Sequence, residues 1–259
     1  MLVGFIHGVM NTDNMAVSGE TIDYGPCAFM DAYDPNAVFS SIDHAGRYAF
    51  GNQPTVAVWN LARFAETLLP LLGNENDEQA VADATAILET FMPTFQNHWY
   101  NGARNKMGLA HGETGANASE AERSLIDDWF ELLAKYKVDY TLGWRYLADA
   151  AEGNPCNLRS LFTTSTDVDN FLERWRGLQD DLPSSNVATK MRATNPIYIP
   201  RNHLVEEALS AASDDGNLKP FEILLQAIRR PFTEDPTLPQ YALPASAEFT
   251  ANYRTFCGT

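Results

Sequence analysis

The chain lacks any run of 18 apolar residues in its 259 positions, which excludes an ordinary membrane-spanning helix. Its apolar start, MLVGFIHGVM, has neither the basic region nor the small-residue cleavage site of a signal peptide. The expectation is a soluble, cytoplasmic protein with no membrane partner. Cysteine is scarce: Cys27, Cys156 and Cys257 are odd in number, far apart and without a CxxC pair, so neither a disulfide framework nor a zinc knuckle is indicated. Basic residues are also few. Lys and Arg number 18 against 34 Asp and Glu, a net charge of −16 that repels phosphate backbones, and nucleic acid is not expected as a partner. The five histidines form no HExxH or HxH pattern. No glycine-rich phosphate loop precedes His7.

What is present is ample material for a core, 45% hydrophobic and 11% aromatic. Residues 1–54 are turn-rich, and 26–54 read as a long loop interrupted by Gly, Asp and Pro. From Thr55 the pattern turns helical: Val58, Leu61, Phe64, Ala65 and Leu68 recur at three- and four-residue spacing, with Pro54 before and Gly73 after. The spacing of Ala80, Ala84, Ile87 and Phe91 predicts a second helix over 77–99, bent at Pro93. Ser119 with Glu122 makes a capping box for a third. Further helices are predicted over 167–178, 201–212 and 218–230, and Arg201, Asn202 and His203 are read as a buried polar anchor. The whole is mainly α: a helical body over 55–230 followed by a proline-rich, extended tail over 231–259, with no repeat or linker that forces a second domain.

The stretch HGVMNTDNMAVSGETIDYG, residues 7–25, carries the chemistry. Met15–Val17 and Thr21–Tyr24 read as short strands around a tight turn at Ser18-Gly19-Glu20, a hairpin that places Asn14 and Asp23 near each other. One amide and one carboxylate oxygen suit Mg²⁺, which takes few protein ligands and leaves its other positions to water and phosphate. His7 to Asn14 has the spacing of the kinase catalytic loop H-R-D-x-x-x-x-N, and Asp23-Tyr24-Gly25 stands where D-F-G would. Val9 occupies the place of the kinase's base, so Asp13 is the nearby carboxylate left for that role. Each polar residue alone is explained as a turn former; the joint order and spacing favours a site.

These motifs, with TIDYGPCAFMDAYDP, DHAGRYAFGNQP, WNLARFAE, NPIYIPRNHLVEEAL, LLQAIRRPF and FCGT, resemble the selenoprotein O family, and the resemblance spans nearly the whole chain. It implies a protein-kinase-like C-terminal lobe whose short N-terminal β-hairpin carries the metal-binding turns. It also implies transfer of AMP from ATP to hydroxyl side chains of proteins. Asn14 and Asp23 would be the metal ligands for Mg²⁺ or Mn²⁺, and Asp13 the base or orienting carboxylate. Family members carry about twice this length, so the resemblance implies a missing N-terminal lobe that supplies most ATP contacts, and a fragment inactive alone. The alternatives are uridylyl transfer from UTP with Mn²⁺, kinase-like phosphoryl transfer and a non-catalytic pseudokinase scaffold. Some relatives pair a cysteine after D-Y-G with one near the terminus. Cys257 matches the second, but Phe39 stands at the first, so a free Cys257 is expected.

Overall fold

A computed structural model of the chain describes residues 1–73, 78–109, 117–179 and 184–256. Two two-residue strands, β1 (Phe5–Ile6) and β2 (Ala28–Phe29), pair with each other, and nearly all other regular structure is helical. Helix α1 (Gln53–Leu72) begins with Pro54 in its first turn, where a missing N–H costs nothing, and ends at Gly73.

The single helix expected over 77–99 is two: α2 (Glu78–Glu89) and α3 (Phe91–Lys106), broken at Thr90. Pro93 is the cause. Its ring clashes with the carbonyl four residues earlier, on Glu89, so the chain breaks there instead of bending at the proline itself. Thr90 closes α2, its hydroxyl donating to the Ile87 carbonyl at 2.7 Å.

Helix α4 (Glu120–Tyr136) carries the capping box as expected. The Glu122 N–H donates to the Ser119 hydroxyl at 3.3 Å, and the Ser119 N–H donates to the Glu122 carboxylate at 2.7 Å. Four helices were not expected: α5 (Tyr140–Ala151), α6 (Cys156–Ser160), α8 (Ser184–Thr194) and α11 (Ala247–Asn252). Helices α7 (Ser165–Gly177), α9 (Asn202–Asp215) and α10 (Lys219–Ile228) fall close to where periodicity places them. The tail expected to be extended instead holds a 3₁₀ turn at Pro239–Ala242 and α11, which is capped by the Ser246 hydroxyl.

The chain divides into two compact units. The first comprises Met1–Phe5, Phe29–Asp34 and Tyr100–Tyr253. Its core stacks Trp129 against Phe171 at 4.8 Å and edge-on to Trp144 at 5.8 Å. The buried Trp175 indole donates to the Met107 carbonyl at 2.9 Å. Helix α5 packs on α6 and α8, α4 on α7, and α9 on α10.

The anchor read at Arg201, Asn202 and His203 is present in this unit at its first two residues, while His203 is half-buried edge-on to the Phe249 ring at 6.0 Å and its Nδ1 makes no hydrogen bond among the described residues. Arg201 is completely buried, and its guanidinium donates to Asp31 at 2.5 Å, to Asp139 at 2.6 and 3.1 Å and to the Ala242 carbonyl at 2.7 Å. The Asn202 amide pairs with both backbone groups of Phe29, and Asp139 caps α5 by accepting from the Leu142 N–H at 2.7 Å. Burial pushes the Asp139 carboxyl above the usual carboxylate range, against the pull of Arg201.

The second unit comprises Ile6–Ala28, Pro35–Trp99 and the segment from Arg254. Here α1 packs on α2, and Val9, Tyr48 and Val56 make a small apolar cluster. At the chain's end Thr255 forms a parallel bridge with Ser40, its N–H donating to the Phe39 carbonyl at 2.9 Å. Phe39 is buried; Cys257 lies outside the described residues.

Candidate active site

The residues read as catalytic all lie in the loop between β1 and β2, within the second unit. Its first half is anchored through glycine. Gly8 has φ of +89°, and a Cβ there would stand 2.5 Å from the Pro26 carbonyl oxygen, a contact no other residue tolerates. The backbone after His7 is therefore pressed against the residue that follows Asp23-Tyr24-Gly25, which joins the two halves of the motif. Pro26 is itself held, its carbonyl accepting from the Thr255 hydroxyl at 2.7 Å.

Val9 is buried beside Tyr48 and Val56. A carboxylate in this position would enter an apolar cluster, so the absence of the usual base here is matched by the packing. Its backbone carbonyl has another use: it accepts the Asn14 side-chain N–H at 2.9 Å. Committing the amide nitrogen leaves the Asn14 oxygen to face a ligand.

Thr12–Asn14 form one 3₁₀ turn that starts after Asn11, whose side-chain oxygen accepts from the Tyr48 hydroxyl at 2.5 Å. Asp13 lies exposed in the middle of this turn. The expected hairpin is reduced to a single antiparallel bridge, Met15 with Thr21, closed by the Gly19 N–H donating to the Ala16 carbonyl at 3.0 Å. With three residues of turn between short apolar runs, little ladder can form, yet the bridge suffices to put Asn14 and Asp23 at the same end of the turn. One Asp23 oxygen accepts from the Gly25 N–H at 2.9 Å, which fixes the carboxylate and leaves its second oxygen open.

The electrostatics centre on Asp23. Burial lowers the His7 pKa, opposed by the Asp23 carboxylate; burial and then Asp23 raise that of the Cys27 thiol. The His7 N–H donates to the Gln53 side chain at 3.1 Å, tying the loop to the start of α1. Beside the turn, a groove of about 290 Å³ is lined by Thr12, Met15, Val17, Leu61, Arg63 and Phe64.

Among the described residues no three His, Cys, Asp or Glu side chains converge as a metal cage. Asn14 and Asp23 each offer one oriented oxygen, a donor set that fits a hard cation completed by water and phosphate oxygens and not a cation held by protein alone. Tyr48, Pro26 and Thr255 were missed as supports of the site. Only the glycine after His7 was a usable signal, since the other contacts join residues far apart in sequence.

Fold and loop together define a mainly helical protein that presents an amide and a carboxylate oxygen from one glycine-anchored turn region. The chain belongs to the SelO family: the family model described as protein adenylyltransferase SelO matches residues 1–229. It is 54% identical over 261 residues to the protein nucleotidyltransferase YdiU of Chromobacterium violaceum, and 52% identical over 259 and 263 residues to those of Cereibacter sphaeroides and Mycolicibacterium paratuberculosis. All of this chain is covered in each case, against 53%, 51% and 51% of the relatives, so it spans about half their length. No helix among the described residues is long and apolar enough to cross a membrane.

Proposed function

We propose that this chain forms the kinase-like, metal-holding part of a protein adenylyltransferase that moves AMP from ATP to Ser, Thr or Tyr hydroxyls, acting in a chain of the length of its curated relatives. The observation that carries the reading is the paired orientation of Asn14 by the Val9 carbonyl and of Asp23 by the Gly25 N–H, with Asp13 exposed in the same turn as Asn14.

In this reading Asn14 and Asp23 hold Mg²⁺ or Mn²⁺, which when bound neutralises phosphate charge. Asp13 faces the acceptor hydroxyl and takes its proton as the oxygen attacks the α-phosphorus and pyrophosphate leaves. Gly8 and Tyr48 position the turn and do not touch the reactants. The demand on the protein is mostly placement and charge neutralisation, which is why two well-oriented oxygens matter more than a strong base. The buried Val9 speaks against γ-phosphoryl transfer by the usual kinase base.

In the extended protein, Asp23→Ala is expected to lower transfer of α-labelled AMP to protein by a hundredfold or more, on the order of one lost electrostatic contact in a transition state. Full activity in that variant, or label transferred from γ- and not α-labelled ATP, overturns the reading.

A further inference from the structure

Residues 1–99 contain only two Lys or Arg side chains, Arg47 and Arg63, in a chain of net charge −16. The fold brings both to one ring. The Arg47 guanidinium lies 4.6 Å from the centre of the Trp59 ring and that of Arg63 lies 5.6 Å from it. Trp59 is 41% exposed. Arg47 also lies 5.7 Å from the centre of the Tyr48 ring, and among the described residues its guanidinium has no carboxylate partner. Arg63 pairs at 2.6 Å with Glu66, but both side chains are about half exposed and such a pair is worth little. Two like charges gathered on one indole repel each other, and an incoming anion relieves that repulsion while the ring supplies a flat apolar seat.

The patch adjoins the candidate active site through two observations. Tyr48, next to Arg47, bonds to Asn11 at the start of the Asp13 turn. Arg63 and Thr12 line the same groove, whose floor is apolar: Met15, Val17, Leu61 and Phe64. A segment lying in this groove runs beside Thr12, next to Asp13, over apolar side chains and against Arg63, which shares the Trp59 ring with Arg47.

We propose that the Arg47–Trp59–Arg63 patch and this groove dock the acceptor protein, selecting a segment with an apolar side chain and flanking carboxylates beside the modified hydroxyl. The role of the patch as an acceptor site rests on the reading of Asp13 as facing that hydroxyl. The charge preference stands on the patch alone.

The test uses the 259-residue chain and two rhodamine-labelled peptides, each with one Ser between leucines, one flanked by Glu and the other by Lys. Fluorescence anisotropy is expected to show saturable binding of the Glu peptide and little of the Lys peptide. The charge reversal R47E/R63E, with its helical circular dichroism unchanged, is expected to weaken the Glu peptide by about tenfold or more and to gain the Lys peptide. Equal binding of both peptides, no saturable binding, or indifference to R47E/R63E overturns the proposal. So does displacement of the peptide by Mg·ATP at constant ionic strength, which would give the patch to phosphate. Failure here is separable from failure of the proposed activity. AMP transfer to protein that ignores R47E/R63E removes the docking and keeps the activity; charge-selective binding with no AMP transfer in the extended protein does the reverse.

Discussion

Two regions of this protein are built from the same side-chain chemistry and spend it in opposite ways. In the first unit Asp31 and Asp139 are buried around Arg201, and each of their four oxygens is committed to Arg201 or to a backbone N–H of Ala245 or Leu142. In the second unit Asn14 and Asp23 each commit one side-chain atom to the backbone and, among the described residues, keep one oxygen open, and Asp13 is exposed. Buried carboxylates committed in this way hold chain segments together and have no oxygen left to offer a ligand, although the Arg201 Nε has no partner among the described residues. A half-satisfied one near the surface costs little and is oriented for something that arrives later. Acidic residues alone do not mark a site; the open oxygens do.

The sharpest way to break the comparison is Arg201→Met. It strands two buried carboxylates and is expected to destabilise the chain by about 3–5 kcal/mol, read from denaturant unfolding. Arg201→Lys should recover only part, because one ammonium cannot supply the fork that reaches two carboxylates and a carbonyl. A loss below 1 kcal/mol, on the order of an exposed pair, would put the node in the same class as the loop.

Lys106 tests a buried amine that has no carboxylate paired with it among the described residues. It is 3% exposed, its ammonium 4.9 Å from the centre of the Trp144 ring, and burial lowers its pKa from 10.5 to about 7. The folded amine sheds its proton near pH 7 while the unfolded one keeps it to about 10.5. The unfolded chain therefore binds more protons in that window, and stability rises with pH across it. Lys106→Met should raise the melting temperature at pH 7, a gain of about 1–3 kcal/mol, and flatten that rise relative to the parent chain. An unchanged slope would show the amine to be solvated.

A smaller effect is expected at Glu122. Burial raises its pKa, but the Ser119 N–H and hydroxyl and the Arg104 guanidinium at 2.7 Å outweigh this and hold it low. Its contribution is present above the unfolded value near 4.5 and is lost as pH falls through the folded one. Glu122→Gln should cost about 1 kcal/mol at pH 7, and that cost should shrink as the pH falls below 4.5.

The smallest effect falls on the exposed turn: Asp13→Asn should change stability by less than about 0.5 kcal/mol in calorimetry, while abolishing transfer in the extended protein. A large destabilisation there would mean that the turn is structural after all.

Much of the local structure was legible in the sequence. The ends of α1 and the capping box of α4 are read from neighbouring residues, because caps and turns act over one helical turn. Helix α5 was not legible. Nine of its twelve residues, from Tyr140 to Ala150, are buried, the polar Thr141 and Arg145 among them, so residue polarity does not report which side faces the core, and Gly143 interrupts it. In the site, Asn14, Asp23 and Asp13 were named from spacing, and the structure brings the loop that carries them to one end of a bridged turn. What was not readable is what orients them: the Val9 carbonyl, the Pro26 contact and the Tyr48 hydroxyl, since backbone atoms and tertiary neighbours leave no mark in residue type.

The sequence by itself determined the mainly helical class, most helix positions and the residues worth testing in the 7–25 stretch, which follow from short-range spacing, and its motifs carried the resemblance to the family. Only the tertiary structure decided which acids are buried, that Arg201 meets Asp31 across 170 positions, and that Arg47 and Arg63 share one indole. Those outcomes depend on which apolar faces pack together, and packing brings together side chains that local spacing never couples.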